Sequence, residues 1–543
     1  MKAATKVLLL FIFICLNLST VNAQSSQFKY TAESLKGGQR DGQRYRLLRR
    51  NVKFKQNTTL IYCDSAYFFD ESNYIEAYGH VKIIDQEDKT TITSQKLFYD
   101  GNTKIAKLRD DVVYNDGDSL QLFTDILDYN KIKQEGTFYE GGKVIDAENV
   151  LTSKTGTYYR TESRVSFHKD VELVNKDFTL NTENLYYNTI TKIAETKDFT
   201  KTVDKDGNTI LSDVGGEYET VTNNSTIQHG TVETESYILT GDILDYNKLT
   251  DIHTAIGNVL LVSKENDVFI YGDEAKMRQS EGITKVYGNP LLKRPFEEDT
   301  LYMKADSLIS IDQPEDNIKD LLAYNNVEIF KPDFQGIADS LNYDMIDSVL
   351  YFYQDPVLWT EGDSQMVADT ISTLLSEGKI DKMYLRTRSF IITKDSLESV
   401  QIDSLNLYDQ IKGRDMDINF KNQKLDYADV NGNAESIYFA LDEYNLLVGM
   451  NRILSSDMRL RFKDNRIHSV TSYVKPDGDF IPPPDINEPD TRLGDFKWRG
   501  EEKPDLIQVL SVRHPELLKE ITEKETELKS IKEETSKNLI KDQ

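Results

Sequence analysis

Six histidines, at positions 80, 168, 229, 253, 468 and 514, are the first residues to test for metal or acid–base chemistry. None stands in His-Glu-x-x-His or in any paired spacing that would bring two imidazoles to one metal ion. His80, His168 and His229 instead fall ahead of Val or Gly, in a slot that comparable stretches fill with Asn or Asp, and are read as turn residues. Asp204-Lys-Asp-Gly-Asn208 opens like a calcium loop, but its Gly is fourth rather than sixth and no Glu closes twelve residues. A hairpin turn is the better reading. Gly-x-Ser-x-Gly, the Walker loop and the dinucleotide fingerprint do not occur. Asp and Glu number 91, enough for a glycosidase pair on composition alone. Most of these acids recur at equivalent places in copy after copy, whereas a catalytic acid is needed once. The residues therefore offer no catalytic group, no metal-ligand set and no cofactor motif. Cys63, within the strand-like run Leu60-Ile-Tyr-Cys-Asp, reads as a buried structural thiol.

What positions these residues is a repeat. A polar or small residue, an apolar residue, then an aromatic followed by Asp or Asn appears as Ser94-Gln-Lys-Leu-Phe-Tyr-Asp100, Thr124-Asp-Ile-Leu-Asp-Tyr-Asn130, Thr182-Glu-Asn-Leu-Tyr-Tyr-Asn188, Gly241-Asp-Ile-Leu-Asp-Tyr-Asn247 and Ala338-Asp-Ser-Leu-Asn-Tyr-Asp344. With weaker copies between them, the fourth position falls at 97, 127, 156, 185, 215, 244, 275, 308 and 341, in steps of 29 to 33 residues. A second motif keeps the same beat. One or two polar residues precede Val or Pro and an apolar alternation, as in Ala77-Tyr-Gly-His-Val-Lys-Ile83, Arg109-Asp-Asp-Val-Val113, His168-Lys-Asp-Val-Glu-Leu173 and Ala255-Ile-Gly-Asn-Val-Leu-Leu261. Asn, Asp and Gly tolerate positive φ and make turns, and period-two alternation marks half-buried strands. Thirty Tyr and twenty-three Phe suit pleated surfaces. Each unit cannot bury its apolar face alone and gains stability by stacking on its neighbours. The expected object is all-β and elongated, with one apolar face continuous along its length.

The beat changes near residue 400. Ile411–Phe420, Gly432–Phe439 and Met458–Phe462 still alternate as strands, so a second β segment is placed at 381–480. Pro482-Pro483-Pro484 opens an irregular Pro-containing linker over 481–514. Residues 515–543 are rich in Glu and Lys, with Leu517, Leu518, Ile521, Leu528 and Ile531 as a sparse helical stripe, and are expected to form a short charged helix.

The first residues set the compartment. Lys2 and Lys6 precede an apolar run from Val7 to Leu16, and Val21-Asn22-Ala23 supplies a small-residue cleavage site. A signal peptide over 1–23 is expected, with the mature chain starting at Gln24. Phe13 and Ile14 ahead of Cys15 lack the small residues of a lipobox. No later stretch approaches the roughly twenty apolar residues of a membrane helix, so the mature chain is expected to be soluble or peripheral to membranes. Cys63 is then the one remaining cysteine, and stacked backbone pairing must replace disulfides. The net charge of -26 and a pI near 4.8 argue against nucleic acid as a partner. Lys36, Arg40, Arg44, Arg46, Arg49, Arg50, Lys53 and Lys55 run against that trend. They read as a solvated strand and turn, with an anion-contacting rim as the alternative.

The run Asn51-Val-Lys-Phe54, Cys63-Asp-Ser-Ala66, Glu76–Ile83, Ser94–Asp100 and Thr124–Asn130 resembles the OstA-like domain. That domain is shared by the periplasmic lipopolysaccharide-transport bridge protein and the N-terminal part of its outer-membrane translocon. The resemblance covers 45–260 most strongly and continues to about 375. Gly432–Phe439 and Leu493-Gly-Asp-Phe-Lys-Trp-Arg499 are similar to the C-terminal part of long OstA-like proteins. It implies an antiparallel β jelly-roll, or β-taco, across 24–260 with further OstA-like repeats over 261–380. It also implies an apolar groove for the acyl chains of lipid A, and joining to other lipopolysaccharide-transport proteins by edge-strand pairing. The groove candidates are Ile83, Leu97, Tyr99, Val113, Leu122, Leu127, Tyr129, Val171, Leu173, Leu185, Tyr187, Leu244, Tyr246, Val259 and Leu261. Any of them fits a closed core equally well. The chain departs from the family in being several times longer than a minimal bridge protein and in lacking the ten-residue strands of a membrane barrel.

The leading expectation is thus a non-enzymatic periplasmic lipid-binding or bridging protein, acting in lipopolysaccharide transport and outer-membrane assembly. A structural or adhesive β-solenoid at the cell surface, with a dry closed interior, is the first alternative. A carbohydrate-active β-solenoid enzyme, with one unrepeated cluster of acids and aromatics, is the second.

Overall fold

The computed structural model describes residues 27–510, apart from 118–119, 148, 266, 314–317, 361–363, 395–406, 445 and 464–465, together with residue 519. The expected signal peptide lies outside the described residues, as does the charged tail but for that one residue. Nearly everything else is antiparallel strand, as the period-two alternation predicts. Two compact units divide it: unit 1 comprises 1–206 and 213–223, and unit 2 comprises 207–212 and 224–543.

Unit 1 is a series of long strands bent in the middle. In Tyr74–Asp85 the residues 74–78 pair with 96–100, and 81–84 pair with 91–94, with a register break between Tyr78 and Val81. The break falls on Gly79 and His80, at φ 77° and 44°. The same paired left-handed corner recurs at Arg50-Asn51, Asp110-Asp111, Glu140-Gly141 and Lys169-Asp170. Side chains tolerate that region poorly except in Gly, Asn and Asp, which is why the second motif is polar at these positions. Each corner acts as a two-residue bulge that turns the strand from one sheet into another. His229 takes the corner conformation at φ 46°, as His80 does. His168 does not: it stands one residue ahead of its corner, and its ring meets Asn184 Oδ1 at 2.6 Å.

The far ends of the strands close in tight turns, and here the first motif has its purpose. Its final Asp or Asn folds back on the turn: Asp100 Oδ1 accepts from the backbone N–H of Asn102 at 2.8 Å and Thr103 at 3.3 Å. Asn130 does the same for Ile132 and Lys133 at 3.0 and 3.1 Å, and Asn188 for Ile190 and Thr191 at 2.9 Å each. These are Asx turns, which end a strand without a free backbone donor.

Unit 2 repeats this plan. Bends fall at Gly257-Asn258, Gly288-Asn289, Asn325-Asn326, Gln354-Asp355, Thr387-Arg388 and Gly432-Asn433. The stretch read as a linker is irregular but docked. Leu493 is buried with Tyr408, Phe390 and Ile437, and Phe496 and Trp498 pack against the same cluster. The fully buried amide of Gln410 donates to Thr491 O and accepts from Leu493 N, both at 2.8 Å. Gln365 holds Lys497 O and Arg499 N in the same way, at 2.8 and 2.6 Å. The helix Leu506–Leu510 then seats Val509 and Leu510 against Leu291 and Tyr302.

Candidate functional site

The bent strands of unit 1 place two sheets face to face, joined along a spine of corners. We call the opposite side, where the turns of both sheets meet, the mouth. Rings from the two sheets touch across the interior: Phe54 and Phe68 lie 5.7 Å apart, and Tyr114 lies 5.8 Å from Tyr129 and 5.7 Å from Tyr158. Phe28 stoppers the N-terminal end, edge-on to Phe54, Phe68 and Tyr99.

The groove candidates sort by depth. Leu97, Leu127 and Leu185 are fully buried in one sheet, and Ile83, Leu122, Val171 and Leu173 are buried in the other. Tyr99, Tyr129 and Tyr187 are also buried, nearer the mouth, and burial pushes the Tyr129 phenol up to about 12. In unit 2, Leu244, Val259 and Leu261 are buried, whereas Tyr246 is half-buried and stacks on His253 at 4.3 Å. Val113 is misplaced. The two corner residues Asp110 and Asp111 shift the alternation, so Val112 and Tyr114 face the interior and Val113 lies half-buried on the other face. Simple alternation carried through a corner gives the wrong face.

The mouth holds the residues that sequence reasoning missed. The Lys131 ammonium, at a turn of one sheet, reaches the hydroxyls of Thr58 and Thr59 at 3.0 and 2.8 Å and pairs with Asp85 of the other. Burial raises the Asp85 carboxyl, but Lys131 and the backbone N–H groups of Glu87 and Asp88 outweigh it and hold it below the usual carboxylate range. Gln134 donates to Asp88 at 3.0 Å. Arg160 donates to the carbonyls of Asp88 and Asp116 at 2.5 and 3.3 Å, and Tyr158 donates to the Asp116 carboxylate at 3.1 Å. Lys192 contacts both oxygens of the fully buried Asp146 at 2.6 Å, and Tyr187 donates to the same carboxylate at 2.8 Å. Asn223 closes the series on Asp177 at 2.6 Å. Four of these links, 85–131, 88–134, 146–192 and 177–223, span the same interval of 46 residues. That interval is one and a half repeats, so the latches are part of the repeat itself. A search for self-similarity at one period does not reveal them, because each joins different strands of different copies.

No group of three or more His, Cys, Asp or Glu among the described residues is placed to hold a metal ion. Cys63 is buried in its strand, and its thiol is pushed up to about 12 by burial, with the Asp64 charge adding to it. The basic stretch lies on the strands Ser34–Arg40 and Gln43–Gln56, where Arg40 pairs with Glu76 at 2.5 Å and Arg46 with Asp70 at 2.8 Å. No helix of the described residues is long and apolar enough to cross a membrane.

Comparison with curated proteins finds no match. Among solved structures, the chain is similar to LptH of Pseudomonas aeruginosa, described as the LptA-homologous periplasmic component of the conserved lipopolysaccharide transport device. The identity is 20%, over 20% of this chain and 82% of that one, with a TM-score of 0.18. The model of the OstA-like protein family matches residues 29–183, a span that includes the latches 85–131 and 88–134. Residues 29–183 of this chain are therefore similar to the OstA-like family, and they are built as antiparallel β-strands around an apolar interior.

Proposed function

We propose that the chain is a non-enzymatic lipid-binding and bridging protein in lipopolysaccharide transport to the outer membrane and in outer-membrane assembly, working in the periplasm. One observation carries this reading: the OstA-like region encloses an apolar interior whose long side is closed, among the described residues, by side chains such as Lys131 on Asp85 and Arg160 on Asp88. Acyl chains gain about 0.8 kcal/mol per methylene on leaving water. Leu97, Leu127 and Leu185 place a fully buried leucine at the same point of three repeats of unit 1, so an acyl chain meets similar sites along the unit. Partner transport proteins join by edge-strand pairing at the ends of the stack, where unpaired backbone accepts a further strand. The periplasmic assignment rests on the expected signal peptide and the family.

The complete burial of those leucines favours a second reading, a structural β-solenoid with a dry core. A photo-crosslinking residue at Leu127 or Leu185, in cells making lipopolysaccharide, separates the two. Covalent lipid adducts at either position are expected. A folded, expressed protein that captures no lipid at both positions supports the structural reading instead.

A further inference from the structure

The latches carry more than closure. Within unit 1 Phe28 packs edge-on against Phe54 and Phe68 at the N-terminal end and the corner side is continuous backbone, whereas among the described residues the mouth is held by side-chain contacts. Its chemistry is costly for a purely structural seam. Asp146 has no exposed side-chain surface and Lys192 is 19% exposed, and a desolvated ion pair of this kind stabilises no better than well-packed apolar residues would. Beside the latch cations, the turns also carry aliphatic side chains that face solvent: Ile132 is 71% exposed and Ile190 73%. Each immediately follows, or shares a turn with, Lys131 or Lys192, at equivalent points of two repeats. The lip thus sets apolar side chains beside its paired cations.

We propose that this lip is the lateral entry site for an anionic amphiphile, with Lys131, Arg160 and Lys192 exchanging their protein acids for the ligand's phosphate as its chains pass Ile132 and Ile190 inward. The inference rests on the lipid-binding reading and adds the route and the headgroup contacts. Closed, the cations are neutralised by Asp85, Asp88 and Asp146, so the lip draws no bulk anions. Opened, they stand in successive turns of one sheet, two strand widths or about 10 Å between neighbours. An anionic headgroup then gives each cation a charge-assisted partner of the same sign as the carboxylate it leaves, and the opening returns that carboxylate to water.

The test uses the full chain carrying a photo-crosslinker at Leu127, with didodecyl phosphate and uncharged didodecyl glycerol ether as probes. The unaltered chain is expected to capture the phosphate probe at least about fivefold better. In Lys131→Gln/Arg160→Gln/Lys192→Gln that preference should vanish while capture of the neutral probe persists. Asp146→Asn, which frees Lys192, should raise phosphate capture. The isosteric pair Asp146→Asn/Lys192→Gln controls for folding, since it keeps the shape of the latch without its charge, and should lose the gain. Equal capture of both probes by the unaltered chain and the cation-free variant overturns the headgroup assignment but leaves lipid binding standing. Capture of neither probe sinks the lipid-binding reading itself. Competition by inorganic phosphate at millimolar concentration would show a simple anion site and also overturn the proposal.

Discussion

At the scale of single residues, burial sets what a side chain can do in the interior, and corners and Asx turns set where polar residues recur. Cys63 is a test of that. With its thiol pushed up to about 12, thiolate at pH 8 is scarcer than in a free cysteine by roughly a thousandfold. A disulfide reagent should therefore leave the native chain unlabelled over hours and label it within minutes in denaturant; fast native labelling would contradict the burial. Leu127→Ala should cost about 2–5 kcal/mol in chemical denaturation, since the fully buried side chain leaves a cavity. A cost under about 1 kcal/mol would mean that the site is open or collapses freely. Asp85 gives a pH prediction. Its carboxyl is held below its unfolded value, so its latch stabilises fully above about pH 4 and is lost only as pH falls through the lower native value. Asp85→Asn should accordingly reduce stability by the same amount at pH 6 and pH 8, and the difference should shrink below pH 4. A difference that changes between 6 and 8 would show that another group governs this latch.

At the scale of elements, strands and corners were legible because their signals are local. Period-two alternation marks the strands, and polar pairs ahead of Val mark the bends. What local signals did not give is the consequence of a two-residue bulge for the side-chain face, which misplaced Val113. They also do not give any contact between strands a repeat and a half apart, which is why Lys131, Arg160, Lys192 and Asp146 went unnoticed among 65 basic and 91 acidic residues. The docking of the Pro-containing segment was equally hidden: Gln365 and Gln410 carry no sequence mark that separates a buried clamp from a solvated glutamine. The corners make their own prediction. Gly257 sits at φ 75°, and a Cβ there would stand 2.4 Å from Asp242 Oδ2. Gly79 faces Asp64 at the same 2.4 Å, so the corner glycine and the acid of the neighbouring strand form one recurring unit. Gly257→Val combines the positive φ with that clash and should cost at least about 2 kcal/mol. Asn258→Gly beside it, at φ 46°, should be nearly neutral. Equal effects of the two would mean that the bend is not set by backbone conformation.

At the scale of the whole molecule, strand pairing between sequence neighbours has a thermodynamic consequence. Each strand contacts mainly the strands before and after it, so stability is a sum of local terms rather than one cooperative core. Cross-mouth latches lengthen that range by only one and a half repeats. Unfolding should then proceed in stages, with unit 1 and unit 2 opening at different free energies. The docked segment ought to open first of all in unit 2. It is held by the Gln365 and Gln410 clamps and by the cluster around Tyr408, with no sheet ladder of its own. Hydrogen exchange resolved by peptide checks this ordering. Amides of 485–500 should exchange at sub-global free energies in the unaltered chain, and Gln410→Ala should speed them about tenfold or more, because it removes two hydrogen bonds to buried backbone. The strands of unit 1 should be untouched by that change. If amides of both units and of the docked segment share a single opening free energy, and Gln410→Ala lowers all of them together, the chain is one cooperative body. The picture of rungs joined by local pairing and opened locally at the mouth would then fail with it.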